Sequence, residues 1–224
     1  MGCPTAIEKP IVLLVEGTDE EIFCEYFFKY LVKENKKWEN LSNIQVIPYD
    51  GTSKLELTLQ TVLAITGSER IQKIGIIRDA DDDADRAFAA VKTAIENSNL
   101  LAPIEQFTPT LSNPSISVMI IPENGNGSFE TLCLNSVCDD PAVKCVEHYF
   151  SCLEEHYKDG RLPKPTNIFK AKVHAFLSSR KFPSVSVGGG TQKDYWILGH
   201  AAFKQLKRFL DCISSEDHQQ SPST

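Results

Sequence analysis

KIGIIRDADDDADRAF, residues 73–88, runs from a short apolar stretch into five aspartates within seven positions and then into a helical pattern. KIGII (73–77) reads as a strand, and 83–98 as a helix that Asp83 or its neighbours can cap. Crowded carboxylates repel one another, so the aspartates need either open solvent or a counter-charge. The same alternation recurs upstream. IVLLV (11–15) is a β-branched, non-alternating apolar run, as expected of a strand covered on both faces. It ends at Glu16-Gly17. The helical pattern that follows, DEEIFCEYFFKYLVKEN (19–35), has Thr18 or Asp19 as its expected cap, acids in its first turn and lysines at its end. NIQVIPY (43–49) is a second strand, SKLELTLQTVLAIT (53–66) a second helix, and ISVMIIP (116–122) a fourth strand. Strand–helix alternation of this kind predicts an α/β fold built on a parallel sheet.

Residues 99–115 read as an irregular connection, ENGNG (123–127) as a turn and SFETLCLNSV (128–137) as a short helix. From 141 the pattern is helical, over 141–158, 167–179 and 199–213. The interruption PSVSVGGGTQKDYWILG (183–199) reads as loop or short strand, with Tyr195 and Trp196 expected to pack the helices around it. The predicted organisation is an α/β domain over 1–125, a mainly helical part over 126–213 packed on it, and a disordered polar tail over 214–224.

No apolar stretch approaches the roughly 20 residues a membrane span needs. The start lacks the basic segment of a signal peptide, and Ala6 stands where a myristoylation motif wants Ser or Thr. Seven cysteines without a CxxC spacing read as small core hydrophobes, including Cys133, Cys138, Cys145 and Cys152, and point to a reducing, cytoplasmic setting. The net charge of −7 is unevenly spread. Residues 1–157 hold 12 Lys/Arg against 25 Asp/Glu, and residues 158–212 hold 11 against 3. An acidic whole argues against a passive nucleic-acid coat, but suits an enzyme whose basic part holds a polyanion while its acids hold metal.

Open α/β sheets bind ligands at the carboxyl ends of their strands. Glu16 follows the first strand there, and Asp79 and Asp81 follow the third. If those strands are neighbours, three carboxylates converge, with Asp79 and Asp81 pointing the same way along an extended segment. Such a hard oxygen set suits Mg²⁺ or Mn²⁺, completed by water and a substrate phosphate. Asp82, Asp83 and Asp85 read instead as helix-capping, solubilising residues.

LLVEGTDEEIF, followed about sixty residues later by IGIIRDADDDADRAF, resembles the Toprim domain of topoisomerases, bacterial-type primases, maturation ribonucleases and overcoming-lysogenization-defect (OLD) nucleases. The resemblance to Toprim proper covers about residues 10–125. It implies a Toprim-like, Rossmann-like parallel sheet between helices, with the family's glutamate at Glu16 and its Asp-x-Asp pair at Asp79 and Asp81, placed around Mg²⁺ for phosphodiester chemistry. MIIPENGNGSFETLCL, KAKVHAFLSSRKFP and YWILGHAAFKQLKRFL extend the similarity to small stand-alone prokaryotic Toprim-like proteins without an established activity. Arg78 departs from the pattern, which usually has an aliphatic residue there; it is placed to pair with a carboxylate or reach a phosphate.

A topoisomerase needs a tyrosine-bearing cleavage domain and a gate, a primase needs a template-binding zinc module, and a recombination mediator needs zinc-type cysteine spacing. The sequence offers none of these, which leaves nuclease as the enzymatic expectation, acting on DNA or RNA with Mg²⁺ or Mn²⁺. Glu16, Asp79 and Asp81 are the expected metal ligands and catalytic groups, with Glu130 as a fourth catalytic carboxylate. Gly17, Arg78, Lys170, Lys172 and Lys193 are the expected substrate contacts. Lys170 and Lys172 open a helix whose amino end suits a phosphate, and the basic stretch 158–212 is expected to fold over the strand ends. The alternative is a non-catalytic module that binds nucleic acid or protein and works beside an ATPase or another subunit.

Overall fold

The computed structural model describes residues 5–123 and 125–215. The first four residues and the tail from 216, on which the myristoylation and disorder expectations fall, lie outside that range. Four strands, β1 (Ile11–Val15), β2 (Ile44–Pro48), β3 (Lys73–Asp79) and β4 (Ser115–Ile121), form one parallel sheet in the order β2-β1-β3-β4. β1 and β3 are therefore central neighbours. All five residues of β1 are buried, which is why its sequence is apolar without alternation.

The strand pleat sorts the core into two layers. Val12, Leu14, Ile74, Ile76, Ile116, Val118 and Ile120 face α2 (Leu55–Ala64) and α3 (Ala84–Asn97). Leu13, Val15, Ile77, Met119 and Ile121 face the opposite layer, with α1 (Thr18–Glu34), α4 (Phe129–Asn135), α6 (Ile168–Ser178) and α8 (Lys204–Ser214). The carboxy-terminal helices thus share one apolar core with the sheet. Gly75 lets α8 close on β3, since a Cβ there would lie 3.1 Å from both Ile213 Cδ1 and Leu13 Cδ1.

The connection 99–115 is irregular as expected, yet it seals the outer edge of β4. Phe107 N–H donates to Val118 O at 3.0 Å, Thr110 N–H to Ile116 O at 3.0 Å, and Ile120 N–H to Gln106 Oε1 at 2.8 Å. This leaves little of that edge for another chain to pair with. Asp83 caps α3 by accepting from Arg86 N–H at 3.0 Å, the capping reading of the aspartate run.

Several expectations are corrected. Gly17 occupies the cap of α1 and supplies no side-chain bond. Asp19 instead accepts from Gly188 N–H at 3.0 Å and from the Ser186 hydroxyl. That contact anchors α7 (Val187–Thr191), a short helix where loop or strand was expected. Trp196 packs there as expected, stacked on Phe176 and donating to Val187 O at 3.0 Å. The last helical pattern begins with a 3-10 turn at Ala201–Phe203, and α8 reaches Ser214, inside the expected tail. Of the cysteines, Cys24 and Cys133 are core residues, whereas Cys138, Cys145 and Cys152 are exposed. The helix α5 (Pro141–Lys158) buries Val146 and Phe150 and turns Cys145 and Cys152 outward.

Candidate functional site

Because β1 and β3 are parallel neighbours, the residues that follow them meet at one edge of the sheet. Asp79 N–H lies 3.5 Å from Glu16 Oε2, a long hydrogen bond that ties the two strand ends. The Asp79 side chain is buried and accepts from Phe129 N–H at 2.8 Å, at the start of α4. The next residue, Glu130, is also buried. Its Oε1 lies 3.8 Å from Lys170 Nζ on α6, and its Oε2 is buried without a hydrogen-bond partner. A further acid, Glu20, enters from the first turn of α1 and is 9% exposed. Gly17 gives that side chain room, since a Cβ there would lie 3.1 Å from Glu20 Oε2.

Four carboxylates therefore crowd one region with Lys170 as the cation drawn toward them. Burial, together with Glu16, Glu20 and Glu130, pushes the Asp79 carboxyl well above the usual carboxylate range. Burial chiefly, then Glu130 and Glu16, pushes Glu20 up to about 7. Burial also raises Glu16, with Asp81 adding to it and Arg78 and Lys170 opposing. For Lys170, burial works to lower the ammonium, yet the pull of Glu130, Glu20, Asp79 and Glu16 carries it above its ordinary value. Like charges brought out of water raise one another's proton affinity, and such perturbations gather at functional sites.

Glu20 was not singled out in the sequence. Its signal was available, since it stands in the first turn of the helix that follows Glu16, but an acid in a first helical turn is accounted for by the helix dipole alone.

Asp81 is placed differently from expectation. The strand ends at Asp79, and Asp81 is left-handed at φ 51°, so the two aspartates do not share an extended segment. Its backbone instead exchanges two hydrogen bonds with Gly127, each 2.8 Å. Gly127 has φ 153°, and a Cβ there would lie 2.8 Å from Pro122 Cδ, so the turn demands glycine. The exposed Asp81 and Asp82 line a cleft of 460 Å³ whose other wall is Lys164–Phe169, the approach to α6. The basic stretch thus meets the strand ends through Lys170 and this wall.

Of the remaining expected contacts, Lys172 and Lys193 make their contacts elsewhere. Lys172 is paired with Glu147 of α5 at 2.6 Å. Lys193 lies 5.0 Å from the Phe182 ring centroid. Glu123, in the turn that follows β4, is paired with Arg208 at 3.5 Å. Arg78 lines a second cleft with Asp81, Asp82, Asp83 and Arg86, and its buried Nε has no hydrogen-bond partner.

The donors that could hold a cation are all carboxylate oxygens, a set suited to hard divalent ions rather than thiophilic ones. Among the described residues no group of three or more His, Cys, Asp or Glu side chains is placed to hold a metal ion. Magnesium seldom requires such a group, being held commonly by one or two carboxylates with water and substrate phosphates completing its shell. No helix among the described residues is long and apolar enough to cross a membrane.

A parallel α/β sheet whose central strands deliver a glutamate and an aspartate to one edge, covered by a basic helix, defines the class. The chain belongs to the family described as protein of unknown function DUF3226, whose model matches residues 10–214. No curated protein matches it. Among solved structures it is similar to the C-terminal region of the OLD protein of Xanthomonas campestris pv. campestris. In one such structure the identity is 16%, the match covers 92% of this chain and 96% of that chain, and the TM-score is 0.42. The C-terminal region of the Burkholderia pseudomallei OLD protein matches at 11% identity over 93% of this chain and 88% of that chain, with a TM-score of 0.37.

Proposed function

We propose that this protein hydrolyses phosphodiester bonds of DNA or RNA with Mg²⁺ or Mn²⁺ at the ends of β1 and β3. The observation that carries the reading is an acid cluster compensated only in part: Glu16, Glu20, Asp79 and Glu130 share the one ammonium of Lys170, while Glu130 Oε2 is left buried and unpartnered. Burying carboxylates without partners costs stability, and a hard divalent ion would remove that cost. The Toprim resemblance of the Glu16 and Asp79 motifs supports the same chemistry.

In this reading Glu16 and Asp79 would hold the ion, with Glu20, Asp81 and Glu130 as the nearby acids. Bound there, the ion would neutralise charge on the phosphoryl oxygens and ease loss of a proton from a bound water, which makes that water nucleophilic. The chain's own residues do the rest. The Phe129 N–H fixes the Asp79 carboxylate. Lys170, held over the acids, meets a non-bridging phosphate oxygen, and the cleft between Asp81 and Lys164–Phe169 receives the flanking strand. Phosphates contacted by lysine make binding steeply salt-dependent and indifferent to base sequence.

The competing reading, a binding module without catalysis, draws on the left-handed Asp81, which takes the second aspartate out of line with the first. A cleavage assay separates the two. End-labelled single- and double-stranded DNA and RNA are incubated with the protein in Mg²⁺, Mn²⁺ or EDTA. The nuclease reading expects cleavage in metal only, and a loss of about 100-fold or more in Asp79→Asn. Cleavage equal in the variant, or unaffected by EDTA, overturns it.

A further inference from the structure

We propose that the exposed face of α5 carries half of a zinc site, completed by the same two residues of a second copy of this chain. His148 Nε2 and Cys152 Sγ lie 3.7 Å apart, one helical turn from each other, and both side chains are exposed. Tetrahedral zinc, with bonds of about 2.0–2.1 Å to nitrogen and about 2.3 Å to sulfur, sets such a pair of ligand atoms about 3.6 Å apart. The pair therefore already stands at the bite of the ion. Imidazole and thiolate are also the ligand types zinc prefers, unlike the all-oxygen set at the strand ends.

The helix that displays them is fixed. Its other side buries Val146 and Phe150, its amino end is held by Asp140 to Arg180 at 2.8 Å, and Glu147 is paired with Lys172 at 2.6 Å. Ordering the two ligands thus costs little beyond their own rotamers.

A structural zinc takes four ligands, and no third His, Cys, Asp or Glu among the described residues joins this pair. The missing two have a natural source in symmetry. Along the helix axis His148 and Cys152 are centred at the level of residue 150, on the exposed side of α5 and away from the buried Phe150 side chain. An antiparallel two-fold pairing of two α5 helices through that point sets each His148 opposite the Cys152 of the other copy. The same symmetry brings Lys144 near Glu155 of the second copy, opposite in charge, and covers Tyr149, which is 54% exposed. Binding displaces one proton from each Cys152 thiol, leaving two thiolates and two neutral imidazoles around the ion.

The test is the mass of the full chain by sedimentation equilibrium under a non-chelating reductant, in Zn²⁺ and in EDTA. Zinc is expected to double the mass with one ion per two chains, and Co²⁺ in its place to give thiolate charge-transfer absorption. His148→Ala and Cys152→Ser should each remain single chains with zinc, while Cys145→Ser should pair as the wild type does. A wild type that stays a single chain in zinc overturns the proposal, as does pairing that survives both ligand variants. Zinc uptake without a change of mass or a thiolate band, the behaviour of an ion taken up by the strand-end acids, overturns it too.

Discussion

The two faces of the sheet are built from the same four strands and differ in what they bury. The face covered by α2 and α3 buries aliphatic side chains together with Tyr49, whose hydroxyl is satisfied by Ile77 O at 3.0 Å. The face covered by α1, α4, α6 and α8 buries a larger apolar cluster, and at its carboxyl edge it also takes in Glu20, Asp79 and Glu130. One face is a source of stability. The other gives some of it up where its acids converge, and strain of that kind is retained at sites with work to do.

Substitutions on the two faces should therefore move stability in opposite directions. The largest effect belongs to the apolar face. Leu59 is fully buried there, and Leu59→Ala should cost about 2–5 kcal/mol, read by denaturant unfolding. An equal loss from Glu20→Gln on the other face would break the contrast.

The next effect is a pH dependence confined to the acid face. Glu20 has its pKa raised from 4.5 to about 7 by burial, so the folded state binds its proton more tightly than the unfolded chain does. The stability this group contributes is complete below pH 4.5 and is lost as the pH rises through about 7. The loss is on the order of 3 kcal/mol for a change of this size. In EDTA, the wild type should become less stable between pH 5 and pH 8, and Glu20→Gln should flatten that slope. An identical slope in the variant would remove Glu20 from the cluster.

Much of this arrangement was legible in the sequence, and the exceptions have physical causes. The placing of Glu16 and Asp79 at the carboxyl ends of two buried strands was legible from two short apolar runs without alternation, while the neighbourhood of those strands was a condition that the strand order meets. Asp81 could not be placed, because the chain leaves the extended conformation at Ala80 and the pairing with Gly127 that turns it is not local. The helix α7 was hidden by Gly188, Gly189 and Gly190, poor helix formers that Asp19 and the Ser186 cap hold in place. The exposed cysteines were misread because a thiol suits a core as well as a surface. Lys170 and Lys172 were grouped, although residues two apart on a helix point to different sides.

That last pair gives the smallest predicted effect and the finest test of which side of α6 matters. The Lys172–Glu147 pair is largely exposed on its acidic side, so Lys172→Ala should change stability by about 1 kcal/mol or less. It should leave nucleic-acid binding close to the wild type. Lys170→Ala should weaken that binding for all sequences alike and reduce its salt dependence. Equal losses from the two variants would mean that the helix attracts nucleic acid as a whole and not through the side that faces the acids.

The central claim is that the acid face is made whole by a divalent ion. Calorimetric titration of the metal-free protein with Mn²⁺, beside Asp79→Asn and Glu130→Gln, tests it most directly. The account predicts saturable binding to the wild type, weakened about tenfold or more in Asp79→Asn and measurably in Glu130→Gln, with a rise in the wild-type melting temperature as the site fills. Absence of binding to the wild type, or equal binding by all three proteins, would contradict it.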